Sequence, residues 1–238
     1  MSRKISQDAD LLIEYLREFD LNDCLKEDNY IILLKSMHRK AYGYLLFIAE
    51  LEVLQRNVKI ISDLSLIYYK ETTSDIIQSL FCWATGSYKA ANIMLRSSIE
   101  TFLKATLGTE NEEIYDEKSI YKLFEKASEH EFFSSSVGLN KYGIIHGIYK
   151  DLCKFAHSAR DINLGTITSI NLLPRFNQKL AKEYNVVFLK LLDSILSVTL
   201  LNFETVVNQM HSLNKDLFLS TLTLNDKKEI FENQYVDT

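Results

Sequence analysis

Ser87-Tyr88-Lys89-Ala90-Ala91-Asn92-Ile93-Met94-Leu95-Arg96-Ser97-Ser98-Ile99-Glu100-Thr101-Phe102-Leu103-Lys104-Ala105-Thr106-Leu107 is the stretch on which the reading of the fold turns. Ala91, Met94, Leu95, Ile99 and Phe102 recur at helical steps and make one apolar side. Asn92, Arg96 and Glu100 recur every fourth residue and form a polar stripe beside it. Gly108 follows at a natural C-terminal cap position. The rest of the chain repeats this character: its 238 residues include one Pro and seven Gly. A sheet protein of this length draws on those two residues for many tight turns, so their scarcity together with long apolar-periodic segments reads as an all-α helical bundle. At 47% hydrophobic and 25% charged, the composition is that of a globular chain.

Working outward, Gln7 to Phe19, with Ser6 as cap, sets Leu11, Leu12, Tyr15, Leu16 and Phe19 on one helical face. Asp28 to Asn57 forms a long second helix, and a shorter piece, Ile60 to Lys70, follows it. Thr73 or Ser74 opens another helix through Ile76, Ile77, Leu80, Phe81 and Trp83, which ends near Gly86. Beyond the quoted stretch lies an acidic loop, Glu110 to Glu117, and then a short helix, Lys118 to His130. Ser134-Ser135-Ser136 and Gly138 break the chain before a helix from Lys141 to Ser158. An irregular connection, Asp161 to Leu173, leads to Pro174 as a first helical residue, and a long C-terminal helix runs on to Leu213. The tail, Asn225 to Thr238, is polar and expected to be only partly ordered. This gives a helical N-terminal extension over 1–70 packed on the core, a helical core over 71–214, and a short helix and tail over 215–238.

Lys and Arg number 27 against 32 Asp and Glu, a net charge of −5. That argues against a broadly basic nucleic-acid coat and leaves room for a local positive patch. Cys24, Cys82 and Cys153 are far apart, odd in number and form no Cys-x-x-Cys pair, which fits a reducing, cytoplasmic setting. Met1-Ser2-Arg3-Lys4 leads into a polar stretch rather than an apolar signal core. The most hydrophobic segment, Val186 to Phe203, contains Lys190 and Asp193 and reads as a buried helix, with no membrane partner expected. Phosphate-loop, dinucleotide, His-Glu-x-x-His and Gly-x-Ser-x-Gly signatures are all missing. The five histidines, His38, His130, His146, His157 and His211, include no pair at three- or four-residue spacing, so neither a metal nor a cofactor is expected.

Two helices carry chemistry. In the quoted stretch Arg96 and Glu100 stand at i, i+4, a pairing worth ~0.2–0.5 kcal/mol by itself. The other is Tyr142-Gly143-Ile144-Ile145-His146-Gly147-Ile148-Tyr149-Lys150-Asp151-Leu152-Cys153-Lys154-Phe155-Ala156-His157. Ile145, Ile148, Leu152 and Phe155 share one face, while His146, Lys150, Cys153 and His157 share the opposite one. A histidine near a helix end with a cation on its own face suits acid–base work on a phosphate. The plainer alternatives are a solvated face that contains two histidines, and a structural Arg96–Glu100 ion pair.

Together these segments resemble a divergent HEPN (higher eukaryotes and prokaryotes nucleotide-binding) domain. The resemblance spans Thr73 to Arg160 and rests on Ser87-Tyr88, Arg96-x-x-x-Glu100, Leu103-Lys104, the short helix after them, and Phe155-Ala156-His157. It implies a helical bundle that pairs into dimers. It also implies the chemistry of the family's many metal-independent ribonucleases in antiviral and toxin–antitoxin systems. In those an Arg, followed four to six residues later by His, cleaves RNA with the 2′-hydroxyl as nucleophile. His157 stands at the family His; Lys150, seven positions earlier, stands in for the Arg, and Arg160, three positions later, inverts the order. Lys lacks the bidentate fork of Arg. On this resemblance His157, Lys150, Arg96 and Glu100 are the candidate catalytic residues, and Asn92, Arg160, Lys154 and His146 the candidate RNA- and phosphate-binding residues. The expected partners are RNA and either a second copy or another protein of a defence complex. Three readings follow: an RNA-cleaving effector with His157 as acid/base, a non-catalytic HEPN-like subunit that binds a protein partner or nucleic acid, and a buried polar network that ties two helices together.

Overall fold

The computed structural model describes residues 2–19, 21, 23–156, 167–169 and 172–233, and among them ten α-helices and no strand. The order is α1 (Arg3–Arg17), α2 (Asp28–Gln55), α3 (Asp63–Ala84), α4 (Tyr88–Leu107), α5 (Ile120–Glu129), α6 (Ser136–Ala156), α7 (Gln178–Asn202), α8 (Glu204–Gln209), α9 (Ser212–Thr221) and α10 (Leu224–Asn233). The chain is an all-α multi-helix bundle.

The antiparallel pair α3–α4 is the centre of the arrangement. Ser62 caps α3 by accepting the Ser65 amide at 3.0 Å. Its end is a left-handed turn at Gly86, φ 75°, closed by Gly86 N–H on the Trp83 carbonyl and Ser87 N–H on the Cys82 carbonyl. A Cβ at Gly86 would lie 2.2 Å from the Arg175 carbonyl, so conformation and space both demand glycine there. Gly108 closes α4 for a different reason than a left-handed cap: its φ is −70°, and a Cβ would lie 2.1 Å from the Tyr115 hydroxyl.

Several elements differ from their sequence reading. No helix begins at Thr73 or Ser74, because the Thr72 and Thr73 hydroxyls donate back to the Tyr68 and Tyr69 carbonyls and α3 continues through them. The division at residue 70 therefore falls inside a helix, and α2 packs on both α3 and α7 within one hydrophobic core. The first helix starts at Arg3 rather than Gln7 and turns Ile5, Ala9, Ile13 and Leu16 inward, leaving Leu11 62% and Tyr15 51% exposed. Pro174 does not open α7; Asn177 does, its side chain accepting the Leu180 amide at 3.1 Å. The helix also stops at Asn202 instead of Leu213, and α8 and α9 follow it. Residues 224–233 form α10, whose Ile230 is fully buried.

Aromatic side chains fill the core. Tyr30 stacks on Trp83 with centroids 4.9 Å apart, and the Trp83 indole donates to the Ala181 carbonyl at 3.3 Å. Truncating such a side chain to Ala costs ~3–5 kcal/mol. The one described helix long and apolar enough to cross a membrane is α7, and 67% of its most apolar window is buried inside the fold. It packs against α2, α4 and α6, and α4 and α6 are the helices that carry the candidate site residues.

Candidate functional site

The polar stripe of α4 meets α6 at Arg96. Its Nη2 lies 2.9 Å from Glu100 Oε1 and also donates to the Tyr149 hydroxyl, while its Nε donates to Cys153 Sγ at 3.4 Å. The guanidinium sits 4.9 Å above the Tyr149 ring. Tyr149 in turn donates to Glu100 Oε1 at 3.0 Å, closing a four-residue network. Burial, together with the charge of Glu100, raises the Tyr149 phenol well above its ordinary range, so it stays a donor. Burial works against the Arg96 charge, but the Cys153 bond and Glu100 outweigh it and hold the guanidinium protonated.

This network is one wall of a cavity of about 670 Å³ enclosed by α4, α5 and α6. Tyr121, Phe124 and Glu125 come from α5; Tyr142, His146 and Lys150 come from α6. The His146 ring lies face to face with Phe124, centroids 4.4 Å apart, and Tyr142 stands 5.7 Å away. Burial first, and then the nearby Lys150 charge, lower the His146 pKa, so the ring is neutral at pH 7 and able to accept a proton. Tyr121 is 86% exposed, an unusual setting for so large a ring. A half-buried cation, an exposed cation, a neutral imidazole and aromatic faces around one opening suit a ligand that carries both phosphate and a flat ring.

Arg96, His146 and Lys150 are thus brought to one cleft, with Glu100 bonded to two of its wall residues. Asn92 is not: its Nδ2 donates to the Tyr88 carbonyl at 2.7 Å, and it lines a separate cavity on the α7 side of α4. A four-residue step advances 400° around a helix, so the stripe drifts 40° per step and about 80° between Asn92 and Glu100. Lys154 also misses the cleft, since it pairs with Asp151 in solvent. His157 and Arg160 lie outside the described residues. Sequence reasoning missed Tyr149 and Phe124. The available signal for Tyr149 was its position four residues before Cys153 and three after His146, on the border between the polar and apolar faces. Among the described residues no group of three His, Cys, Asp or Glu side chains could hold a metal ion. Compared with protein-family models, curated proteins and solved structures, the chain has no match.

Proposed function

We propose that this chain is a HEPN-like defence or stress-response effector whose α4–α5–α6 cleft takes a short single-stranded segment of RNA and cleaves it without metal. The observation that carries this reading is the convergence of Arg96, His146 and Lys150 with the rings of Tyr121, Phe124 and Tyr142 on one opening. Bases stack on such rings at ~1–3 kcal/mol each, and the two cations meet the phosphates. In the reaction the 2′-oxygen attacks phosphorus, the bond to the 5′-oxygen breaks, and a 2′,3′-cyclic phosphate forms. One group takes the 2′-hydroxyl proton and an acid returns one to the leaving 5′-oxygen. His157 is the acid–base group by resemblance; Lys150, as a point charge, stabilises the phosphate charge that builds in the transition state.

A purified full-length sample, incubated with single-stranded RNA in EDTA, tests this. Cleavage leaving 2′,3′-cyclic ends, lost in a His157→Ala sample of equal melting temperature, is the expected result. RNA bound at the cleft but left intact in both samples would favour the non-catalytic reading. Two observations speak for that second reading: the Arg96 guanidinium is already engaged by Glu100, Tyr149 and Cys153, and Tyr15 of α1, Phe19 just beyond its end and Phe81 of α3 form an exposed aromatic cluster open to a protein partner.

A further inference from the structure

The α4–α5–α6 cleft holds a group that neither the phosphate contacts nor the transfer chemistry uses: the Glu125 side chain, which lines the opening from α5. Glu125 stands at i+4 from Tyr121, so the two share a face of α5 with Cβ atoms about 5–6 Å apart. A base stacked on the exposed Tyr121 ring reaches Glu125 with one edge. The Glu125 carboxylate is unengaged among the described residues: the Ser128 hydroxyl donates to its backbone carbonyl at 2.6 Å, and no hydrogen bond or ion pair holds the side chain. Glu100 differs, since Arg96 and Tyr149 both bind its carboxylate. The Tyr142 hydroxyl, also at the opening, has its proton on the Phe124 carbonyl at 2.9 Å.

A carboxylate accepts hydrogen bonds and repels phosphate, so at this opening it serves the uncharged part of a nucleotide. Single-stranded bases are read on their Watson–Crick edges, and those edges differ in their donors. Guanine presents N1–H and the N2 amino group side by side, two donors for the two carboxylate oxygens. Adenine and cytosine set a ring-nitrogen lone pair beside the amino group, and uracil sets its single N–H between two carbonyls. Each of these three offers one bond next to a repulsion.

We propose that Glu125 makes the cleft selective for guanine: the base stacks on Tyr121, its N1–H and N2–H donate to the Glu125 carboxylate, and the flanking phosphates lie toward Lys150 and Arg96. This rests on the RNA reading of the cleft and adds the base that the strand carries there.

The test uses the full chain and fluorescence anisotropy with labelled pentamers UUGUU, UUIUU (I, inosine), UUAUU, UUCUU and UUUUU. A 2′-fluoro group on every ribose removes the attacking 2′-oxygen, so binding is read without cleavage. UUGUU should bind about tenfold tighter than the A, C and U pentamers, the ratio a charge-assisted hydrogen bond supplies. Inosine keeps N1–H and lacks the N2 amino group, so UUIUU should fall between. Glu125→Ala, at an exposed position, should bring UUGUU to the level of the others without weakening them, whereas Tyr121→Ala should weaken all five. Equal binding of all five, a preference for another base, or a guanine preference that survives Glu125→Ala overturns the guanine assignment and leaves the RNA reading standing. Guanosine 5′-monophosphate that displaces the label as well as unlabelled UUGUU does would make the free nucleotide the ligand and overturn the strand. Binding of none of the five by folded protein overturns the RNA reading and this inference with it.

Discussion

Among the described residues Glu100 is the one carboxylate bonded to Arg96 and Tyr149, so its removal and the removal of Tyr149 are not equivalent. Glu100→Ala leaves the half-buried Arg96 charge and the buried Tyr149 hydroxyl short of an acceptor, and should cost ~1–3 kcal/mol. Tyr149→Phe keeps the ring under Arg96 and the Arg96–Glu100 pair, and should cost ~0.5–1.5 kcal/mol. Urea denaturation of both variants and the double variant should return a coupling of ~0.5–3 kcal/mol, as residues in one network do; additivity would mean the bonds are not formed together. His146 supplies a pH prediction. Its folded pKa is lowered, by burial first, as are those of His38 and His130. The unfolded chain therefore takes up these protons first. The stability they contribute is whole above about pH 6.5 and is lost as pH falls through the folded values. Asp75, raised by burial, works in the opposite sense, so the comparison must be between variants. The fall in stability from pH 7.5 to 5.5 should be smaller in His146→Phe than in the parent, and an unchanged slope would show that the imidazole is not desolvated by Phe124.

Helix α6 carries Gly143 and Gly147 in its interior, and a Cβ at either would meet nothing within 4 Å. Gly143→Ala and Gly147→Ala should each raise stability by ~0.5–1 kcal/mol, since glycine is a poor helix former and nothing collides. Gly86→Ala should do the reverse by more than that amount, measured by the same thermal melts, because φ is 75° and the Arg175 carbonyl occupies the space. If the RNA backbone approaches α6 beside His146, the two stabilising substitutions will also weaken RNA binding, which separates packing from contact. At this scale the sequence was legible where apolar period and breaker agreed. The α4 stretch, the second helix and the Gly86 turn are of that kind. It misled where a residue type had two uses. Thr73 and Ser74 look like caps, but α3 runs through both and the Thr73 hydroxyl bonds backward to the Tyr69 carbonyl, and α1 has a second apolar stripe that competes with the buried one. The site was half legible for the same reason. Arg96 and Glu100 stand out as polar groups on an apolar helix, whereas Phe124 and Tyr149 look like ordinary core residues until α5 and α6 close around them.

The whole bundle is fastened by ionic contacts from its last helices. Lys40 pairs with Asp193 and donates to the Thr221 carbonyl, and Arg39 donates to the Ser220 carbonyl, so α2 holds the end of α9. Asp226, 5% exposed, pairs with Lys141 in the second turn of α6 and accepts from the Thr223 hydroxyl. A polar tail thereby becomes structural: its acidic residue neutralises a lysine that is itself 8% exposed. Removing one partner strands the other charge, so Asp226→Ala should cost ~3–5 kcal/mol, while Lys141→Met combined with Asp226→Leu should cost far less or nothing. The consequence reaches the site, because Lys141 lies one residue before Tyr142 and five before His146 on the same helix. If the cleft takes RNA as proposed, the stability loss in Asp226→Ala should be accompanied by weaker single-stranded RNA binding at a temperature where the chain is still folded. The double variant should recover stability and RNA affinity together. Recovery of stability with affinity still lost would mean that the pair does more than hold α6 in place; equal cost for single and double variants would mean that the ion pair is not shielded from water.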